Sequence, residues 1–110
     1  MIDINSQYKK GVLELLVLLI VSKKDQYGYE LVERVSKVVD VNEGTIYPIL
    51  KRLSNEDCFE TYLKESSEGP TRKYYHITVK GKEVLDEQLK QWKKFDKSVN
   101  EFIRKSENIE

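Results

Sequence analysis

Cysteine, proline and glycine are scarce in this chain of 110 residues, and long apolar runs are absent. The single cysteine, Cys58, excludes an intramolecular disulfide and a multi-cysteine metal site, and it is typical of a protein of the reducing cytoplasm. The most apolar stretch, residues 12–21, is interrupted by Glu14 and falls well short of the ~20 residues that span a bilayer. This stretch follows the acidic Asp3 and has no small-residue cleavage site. We therefore expect no membrane span and no secretory signal, and a cytoplasmic location.

Net charge is also absent, because 19 basic residues balance 19 acidic ones. No global field attracts the molecule to a nucleic acid or a membrane, so any nucleic-acid affinity must come from local cations. The one histidine, His76, has no second histidine with which to bind a metal. No activated nucleophile, paired base or phosphate-cradling glycine loop is present. We expect a single domain that is not an enzyme and needs neither metal nor cofactor.

Apolar periodicity predicts two helices in the first third of the chain. The segment from about Tyr8 to Ser22 is apolar on nearly every side, which favours a central, buried helix. The next segment has Leu31, Val35 and Val38 at i, i+4 and i+7, as in an amphipathic helix.

A tight turn over residues 40–44 leads to a third helix that runs to about Asp57. Asn42 and Thr45 are both candidate N-caps. With Thr45 as the cap, Pro48 would occupy the third helical position, where its missing amide has no intrahelical partner. The apolar stripe contains Ile46, Ile49, Leu50 and Leu53. The opposite face contains Thr45, Tyr47, Lys51, Arg52 and Asn55.

From Phe59 onward the period changes to two, which predicts a β-hairpin. Its turn is expected over Ser66–Pro70 and its second strand over Arg72–Ile77. Arg72 and Lys73 thus place two cations at the turn, where a basic tip can reach a phosphate or the minor groove.

A long C-terminal helix is predicted from Val79 to Arg104, with Thr78 as its N-cap. At ~1.5 Å per residue this helix is roughly 39 Å long, which exceeds the width of a domain of this size. Its far end therefore has nothing of its own to pack on, and we expect a homodimer in which the helix crosses its partner and meets the partner's first helix. The predicted dimerisation residues are Leu16, Leu89, Trp92, Phe95, Val99 and Phe102.

Two short helices, a tight turn and a hairpin form a winged helix-turn-helix, whose second helix enters the DNA major groove. The predicted fold is mainly α with a small β-hairpin. Residues 1–78 form the DNA-binding domain and residues 79–110 the dimerisation helix of the same structural unit. Because no acidic residue lies between Glu43 and Glu56, the polar face of the third helix is locally basic. For the charges alone, an ordinary solvated helix face is an equal alternative.

Three runs together closely resemble the PadR family of bacterial transcriptional regulators. They are YGYEL at 27–31, GTIYPILKRL at 44–53 and RKYYHIT at 72–78. The second run is the most specific, since a tyrosine-proline pair inside a recognition helix is unusual. The resemblance covers about residues 8–104. Within the family, the chain is similar to the short subfamily with a single C-terminal helix.

The resemblance implies a homodimeric repressor that binds an inverted-repeat operator in double-stranded DNA and is released by a small aromatic or amphipathic compound. The implied DNA-binding residues are Tyr47, Lys51 and Arg52 on the recognition helix, with Thr45 beside them on the same face, and Arg72 and Lys73 on the wing. Trp92 matches a tryptophan of drug-binding members, in which two copies face each other across the dimer axis. A ring that merely fills the interface is the simpler interpretation of Trp92.

Two positions qualify the resemblance. Asp57 stands where the family usually has a glycine, and aspartate adopts the required left-handed conformation only at some cost. Cys58 is interpreted as a small hydrophobic residue beside Phe59, with a redox sensor as the alternative.

A winged-helix module that binds only protein remains the alternative function, because the fold alone does not separate it from a DNA-binding regulator. The absence of acids between Glu43 and Glu56 and from the second half of the hairpin favours DNA.

Overall fold

The structure is a computed structural model that describes residues 6–107, with side chains from residue 11 onward. Its elements are α1 (Ser6–Lys23), β1 (Gln26–Tyr27), α2 (Gly28–Ser36), α3 (Glu43–Asn55), β2 (Phe59–Ser66), β3 (Gly69–Ile77) and α4 (Val79–Ser106). The predicted fold class is confirmed, with one addition: the short strand β1 completes a three-stranded antiparallel sheet in the order β1-β3-β2. Among the described residues, no helix is long and apolar enough to cross a membrane.

Helix α1 occupies the centre of the molecule and packs on α2, α3, α4 and β3. One side of it is fully buried, with Leu13, Val17, Leu18 and Val21 in the core. The other side, which contains Leu15, Leu16, Leu19 and Ile20, is only partly buried. The expected burial on all sides is therefore incomplete within one chain.

Helix α3 begins before Thr45, so Thr45 is not the N-cap that would place Pro48 at the third helical position. The N-cap is Asn42, whose carbonyl accepts the amide of Thr45 at 3.1 Å, so the first turn forms before Thr45 is reached. Thr45 is therefore inside the helix, and Pro48 lies in its interior rather than in its first turn. Pro48 leaves the carbonyl of Gly44 without its helical partner. Gly44 is exposed, so that water can hydrate this carbonyl.

The end of α3 depends on Asp57, which has a φ of 63° in the left-handed region. The amide of Asp57 donates to the carbonyl of Ser54 at 3.1 Å, and the amide of Cys58 donates to that of Leu53 at 2.9 Å. These two bonds form a Schellman motif, which normally has glycine at the left-handed position. Asp57 thus performs the expected role of the missing glycine and directs the chain into β2.

The β2–β3 hairpin turns more tightly than predicted. Ser66 pairs with Gly69 and Lys64 with Arg72, so strand pairing continues through Pro70 and the turn consists of residues 67–68. The prediction that the two wing cations lie at the tip is therefore wrong. Arg72 and Lys73 lie within β3, and because they are adjacent in a strand they face opposite sides of the sheet.

Helix α4 begins at the predicted position, where the Thr78 side chain accepts the amide of Gly81 at 2.9 Å. Its first turns pack on the core through Leu85, which is buried. Beyond them, every residue from 90 to 100 is exposed. The projecting half of α4 makes the molecule elongated, with extents of 63 × 28 × 20 Å.

Candidate nucleic-acid interface

The outer face of α3 lies opposite the buried side chains of Ile46, Leu50 and Leu53. At 100° per residue, the exposed Gly44, Pro48 and Asn55 stand near the middle of this outer face, and Lys51 stands between the middle and the flank that carries Tyr47. Thr45 and Arg52 lie on one flank of it, and Tyr47 lies on the other. The four predicted α3 residues are thus all exposed, but they point in three directions.

Arg52 is held in place by two carboxylates. Its Nη2 lies 3.3 Å from Oε2 of Glu14 in α1, and its Nη1 lies 3.5 Å from Oε2 of Glu56 one turn away. The hydrogen bond to Glu14, followed by the charges of both carboxylates, raises the pKa of Arg52. The Arg52 side chain is 48% exposed, and such surface ion pairs are worth only about 0–1 kcal/mol. A phosphate or a guanine edge can therefore replace these carboxylates.

Tyr47 lies against the start of α2. A Cβ built on Gly28 would come within 2.6 Å of Cε1 of Tyr47, so only glycine lets the ring approach this closely. Partial burial, and then the charge of Glu43, raises the pKa of the Tyr47 hydroxyl. The ring forms one wall of a surface cavity of about 300 Å³. We call it the tyrosine recess; it is lined by Tyr27, Gly28, Tyr29, Tyr47, Lys73 and Tyr75.

The two wing cations are separated by the sheet. Lys73 lies on the side of α3, where its Nζ is 5.8 Å from the ring centre of Tyr75. Arg72 lies on the opposite side, with its guanidinium carbon 4.5 Å from the ring centre of Tyr27. The structure therefore brings Lys73 and Tyr47 together at one recess, and it places Arg72 elsewhere.

The side of the sheet that carries Arg72 also carries a row of aromatic rings that the sequence pattern did not reveal. Tyr62 stacks on Tyr74 with ring centres 5.4 Å apart, and Tyr74 is 5.6 Å from Tyr27. These rings join all three strands. The row stiffens the base of the wing.

Asp25 connects the end of α1 to this side of the wing. It accepts a hydrogen bond from the Tyr62 hydroxyl at 2.7 Å and pairs with Nδ1 of His76 at 2.8 Å. Burial acts to raise the pKa of Asp25, but the hydrogen bonds from Tyr62 and His76 outweigh it and hold this pKa below its ordinary value. The bond to Asp25 also raises the pKa of Tyr62 to about 12. His76 is thus an exposed strand residue, as predicted.

The apolar stripe of α4 is largely uncovered in the single chain. Trp92 is 43% exposed and Phe102 72% exposed, with Phe95 and Val99 between them also exposed. The rings of Trp92 and Phe95 adjoin, with centres 6.4 Å apart. Of the predicted dimerisation residues, only Leu16 and Leu89 are partly buried against the core. A continuous apolar surface of this kind is typical of an interaction site.

Comparison with known proteins matches residues 17–87 to the model of the family described as "Transcriptional regulator PadR-like family". The chain belongs to this PadR-like family. A crystal structure of a PadR-like transcriptional regulator from Bacillus cereus is similar, with 47% identity and a TM-score of 0.81 over 89% of this chain and 97% of that one. A PadR family regulator from Clostridium difficile is 35% identical, with a TM-score of 0.76 over 83% of this chain and 97% of that one. An uncharacterized protein from Lysinibacillus sphaericus is 32% identical over 91% of this chain and 95% of its own length.

As a PadR-like protein the chain is a transcriptional regulator with a DNA-binding winged helix-turn-helix, and not an enzyme. PadR regulators bind DNA as dimers. Within the described part of this PadR-like chain, no group of three or more metal-ligating side chains comes together. Cys58 is 1% exposed, and burial is the main cause that raises the pKa of its thiol. Both properties favour the small-hydrophobe interpretation, because a redox sensor needs an accessible thiolate.

Proposed function

We propose that this PadR-like regulator is a homodimeric repressor that binds an inverted-repeat operator and releases it when a small aromatic compound binds. The observation that carries the DNA-binding part is the outer face of α3. This face is exposed, contains no acidic residue between Glu43 and Glu56, and carries Lys51 and Arg52 on either side of its middle. Such a face suits insertion into the strongly negative major groove.

Each predicted residue takes a role that follows from its place. Lys51 reaches base edges or phosphates from one side of the outer face, and Thr45 lies with Arg52 on the other side. Arg52 exchanges Glu14 for a DNA group, and a guanine edge would give it a bidentate partner. Arg72 and Lys73 neutralise phosphates from the two sides of the wing.

Dimerisation is assigned to residues 79–110 and DNA binding to residues 1–78. The stripe of α4, with Val99 near its centre, packs against the partner's α4, and its end meets the partner's α1 near Leu16. A two-fold axis through this interface places two α3 helices on one side of the dimer. The half-sites are then expected one or two helical turns apart, with ~10 bp in each turn.

Selection of bound fragments from genomic DNA, followed by titration at several salt concentrations, tests the operator. Arg52→Ala is expected to cost roughly 1–3 kcal/mol and to relax specificity, whereas Lys73→Ala should weaken all sequences alike. Lys90→Ala is the matched control, because Lys90 lies on the side of α4 away from the stripe. Failure to enrich a palindrome, with no binding to the protein's own promoter at low salt, contradicts the proposal and favours a protein-binding adaptor.

The effector part of the proposal depends on Trp92. Two facing indoles at the dimer axis would form flat apolar walls between which an aromatic compound can stack. A bound compound would spread the α4 helices and change the distance between the two α3 helices. Because Trp92 is the sole tryptophan, planar aromatic compounds should quench the fluorescence saturably and weaken DNA binding over the same concentration range. Operator DNA should lower the apparent affinity for the compound reciprocally. Unchanged emission across a broad panel refutes this role.

A further inference from the structure

Lys64 lies in β2 directly opposite Arg72 of β3. Because the strand register pairs these two residues, their side chains project from the same side of the sheet, the side away from α3. Both residues are exposed. The Cβ atoms of such a pair are roughly 5 Å apart, and like charges directly opposite each other destabilise a sheet. We call these residues the Lys64–Arg72 pair; the sequence pattern did not place Lys64 among the DNA-binding residues.

No carboxylate offsets the repulsion within this pair. Among residues 11–107, whose side chains the structure describes, neither Lys64 nor Arg72 takes part in an ion pair. The acidic residues of the hairpin therefore lie beyond ion-pair distance of both cations; they are Glu60, Glu65 and Glu68. Two cations held side by side without a carboxylate attract an anion.

Aromatic rings hold the two cations in place. The guanidinium carbon of Arg72 lies 4.5 Å from the ring centre of Tyr27, and Nζ of Lys64 lies 5.5 Å from that of Tyr74. A ring face attracts a cation but does not neutralise its charge. Since lysine and arginine have several N–H donors each, both side chains can still donate to an oxygen acceptor while they contact the rings. The pair thus differs from Arg52, which must first leave two carboxylates.

The rings beneath the pair are packed in a row. Tyr74 lies between Tyr27 and Tyr62, with ring centres 5.6 and 5.4 Å away. The Tyr62 hydroxyl donates to Asp25 at 2.7 Å, which connects this row to the end of α1. Side chains that rest on such fixed rings lose less conformational freedom when they bind a ligand. The Lys64–Arg72 pair is therefore preorganised for an anion.

The position of the pair on the wing indicates which anion it binds. Lys73 follows Arg72 in β3 and projects from the other side of the sheet, where it lines the same cavity as Tyr47 of α3. The pair thus continues the proposed DNA-binding surface across the wing. Phosphates of one DNA strand follow each other with a rise of ~3.4 Å and carry one negative charge each. Two long side chains that start roughly 5 Å apart suit two neighbouring phosphates.

We propose that Lys64 is a DNA-binding residue and that the Lys64–Arg72 pair binds two successive phosphates of one strand in each half-site. This inference rests on the proposed function and adds a backbone contact on the side of the wing away from α3. The phosphates remove the repulsion that the two cations have in the free protein. Contacts from this side and from Lys73 together fix the orientation of the wing on the duplex.

Lys64→Gln tests the pair because it removes one charge and keeps an exposed strand residue polar. In a dimer this variant loses two phosphate contacts, which lowers the magnitude of the slope of log affinity against log salt concentration by about 1.8. Its deficit in affinity relative to the unmodified protein should therefore shrink about twelvefold between about 50 and 200 mM salt. Operator and unrelated duplex should weaken by the same factor, since phosphates carry no sequence information.

Two further variants separate the charge from the fold. Lys64→Arg keeps the cation and should bind both duplexes as the unmodified protein does. Lys90→Gln is the matched control, because it removes the same charge from the projecting half of α4 and should leave the salt slope unchanged. The urea midpoint of Lys64→Gln should stay close to that of the unmodified protein, since the lost repulsion and the lost ring contact have opposite effects on stability.

Methylphosphonate scanning locates the contact. Replacing the operator phosphates one at a time should reveal two neighbouring positions in each half-site at which the unmodified protein loses affinity. Lys64→Gln should be insensitive to replacement at one of them, and Arg72→Gln at the other. Arg72→Gln also serves as the second variant if Lys64→Gln does not fold.

The outcomes distinguish this inference from the proposed function. If Lys64→Gln has the affinity and salt slope of Lys90→Gln, or stays sensitive at every phosphate, Lys64 does not bind DNA, while palindrome binding still supports the regulator. A loss confined to the operator also overturns the inference, because a phosphate contact acts on all sequences alike. A urea midpoint that falls together with DNA affinity assigns Lys64 a structural role instead. Absence of any DNA binding by the unmodified protein refutes the proposed function itself.

Discussion

Gly81 allows the first turn of α4 to pack closely against Cys58 and Ile77. Gly81→Ala is therefore a sensitive test of the structure. A Cβ at this position would overlap the carbonyl oxygen of Cys58 and lie 2.7 Å from Cγ1 of Ile77. That carbonyl cannot easily move, because it accepts the amide of Thr78 at 3.0 Å and the Thr78 hydroxyl at 3.1 Å. Alanine must push the first turn of α4 away from Cys58.

The expected loss follows from three contributions. Forcing a methyl group into a packed site costs about 1–3 kcal/mol. Displacing the Gly81 amide from the Thr78 cap costs about 1 kcal/mol more. Replacing glycine by alanine within a helix stabilises the helix by about 1 kcal/mol. The net change is a destabilisation of about 1–3 kcal/mol, opposite in sign to the helix-propensity effect alone.

Gly44→Ala is the control, since Gly44 also lies in the first turn of a helix. There the added Cβ would meet only Oδ1 of the exposed Asn42 at 3.3 Å, and that side chain can move. We expect Gly44→Ala to stabilise the protein by about 0.5–1 kcal/mol. Urea unfolding at one fixed protein concentration measures both variants, because the stability of a dimer depends on concentration. A Gly81→Ala protein that is as stable as Gly44→Ala refutes the close approach of α4 to Cys58.

Three further predictions test the interface, the ion pairs and the base of the wing. Val99→Asp places a charge in the proposed apolar seam and should weaken dimerisation and stability together, as measured by light scattering and urea unfolding; an intact dimer of normal stability contradicts the assignment. Glu14→Gln frees Arg52 from one of its two carboxylates and should raise operator affinity up to about fivefold, the equivalent of a surface ion pair, whereas unchanged affinity means that Arg52 never leaves Glu14 on binding. Asp25 has a lowered pKa in the folded protein, so its contribution to stability is present above its unfolded pKa and is lost as the pH falls through the folded value. Tyr62→Phe should raise the Asp25 pKa toward its ordinary value in an NMR titration, and an unmoved pKa would show that the Tyr62 hydrogen bond does not stabilise the carboxylate.

Local pattern accounts for most of the elements. Helical periodicity located all four helices, and Thr78 caps α4 as its residue type suggests. The sequence-based predictions are wrong or incomplete where a local pattern is compatible with more than one structure. Asn42 and Thr45 are both good caps, and hydrogen bonding of the Asn42 carbonyl decided between them. The strand β1 is too short to carry a period-two signal, and it exists because β3 offers it a partner.

The sequence by itself determined which residues share a helix face, and hence that Lys51 belongs to the polar face of α3 and that α4 carries an apolar stripe around Val99. These properties follow from the 3.6-residue period and need no knowledge of the rest of the chain. Tertiary structure alone decided what the functional side chains touch. Arg52 contacts Glu14, 38 positions away in the sequence. Tyr47 packs against Gly28 and lines the same cavity as Lys73 only because α3 docks at one angle against α2 and β3. Such contacts depend on how elements pack, which no local pattern encodes.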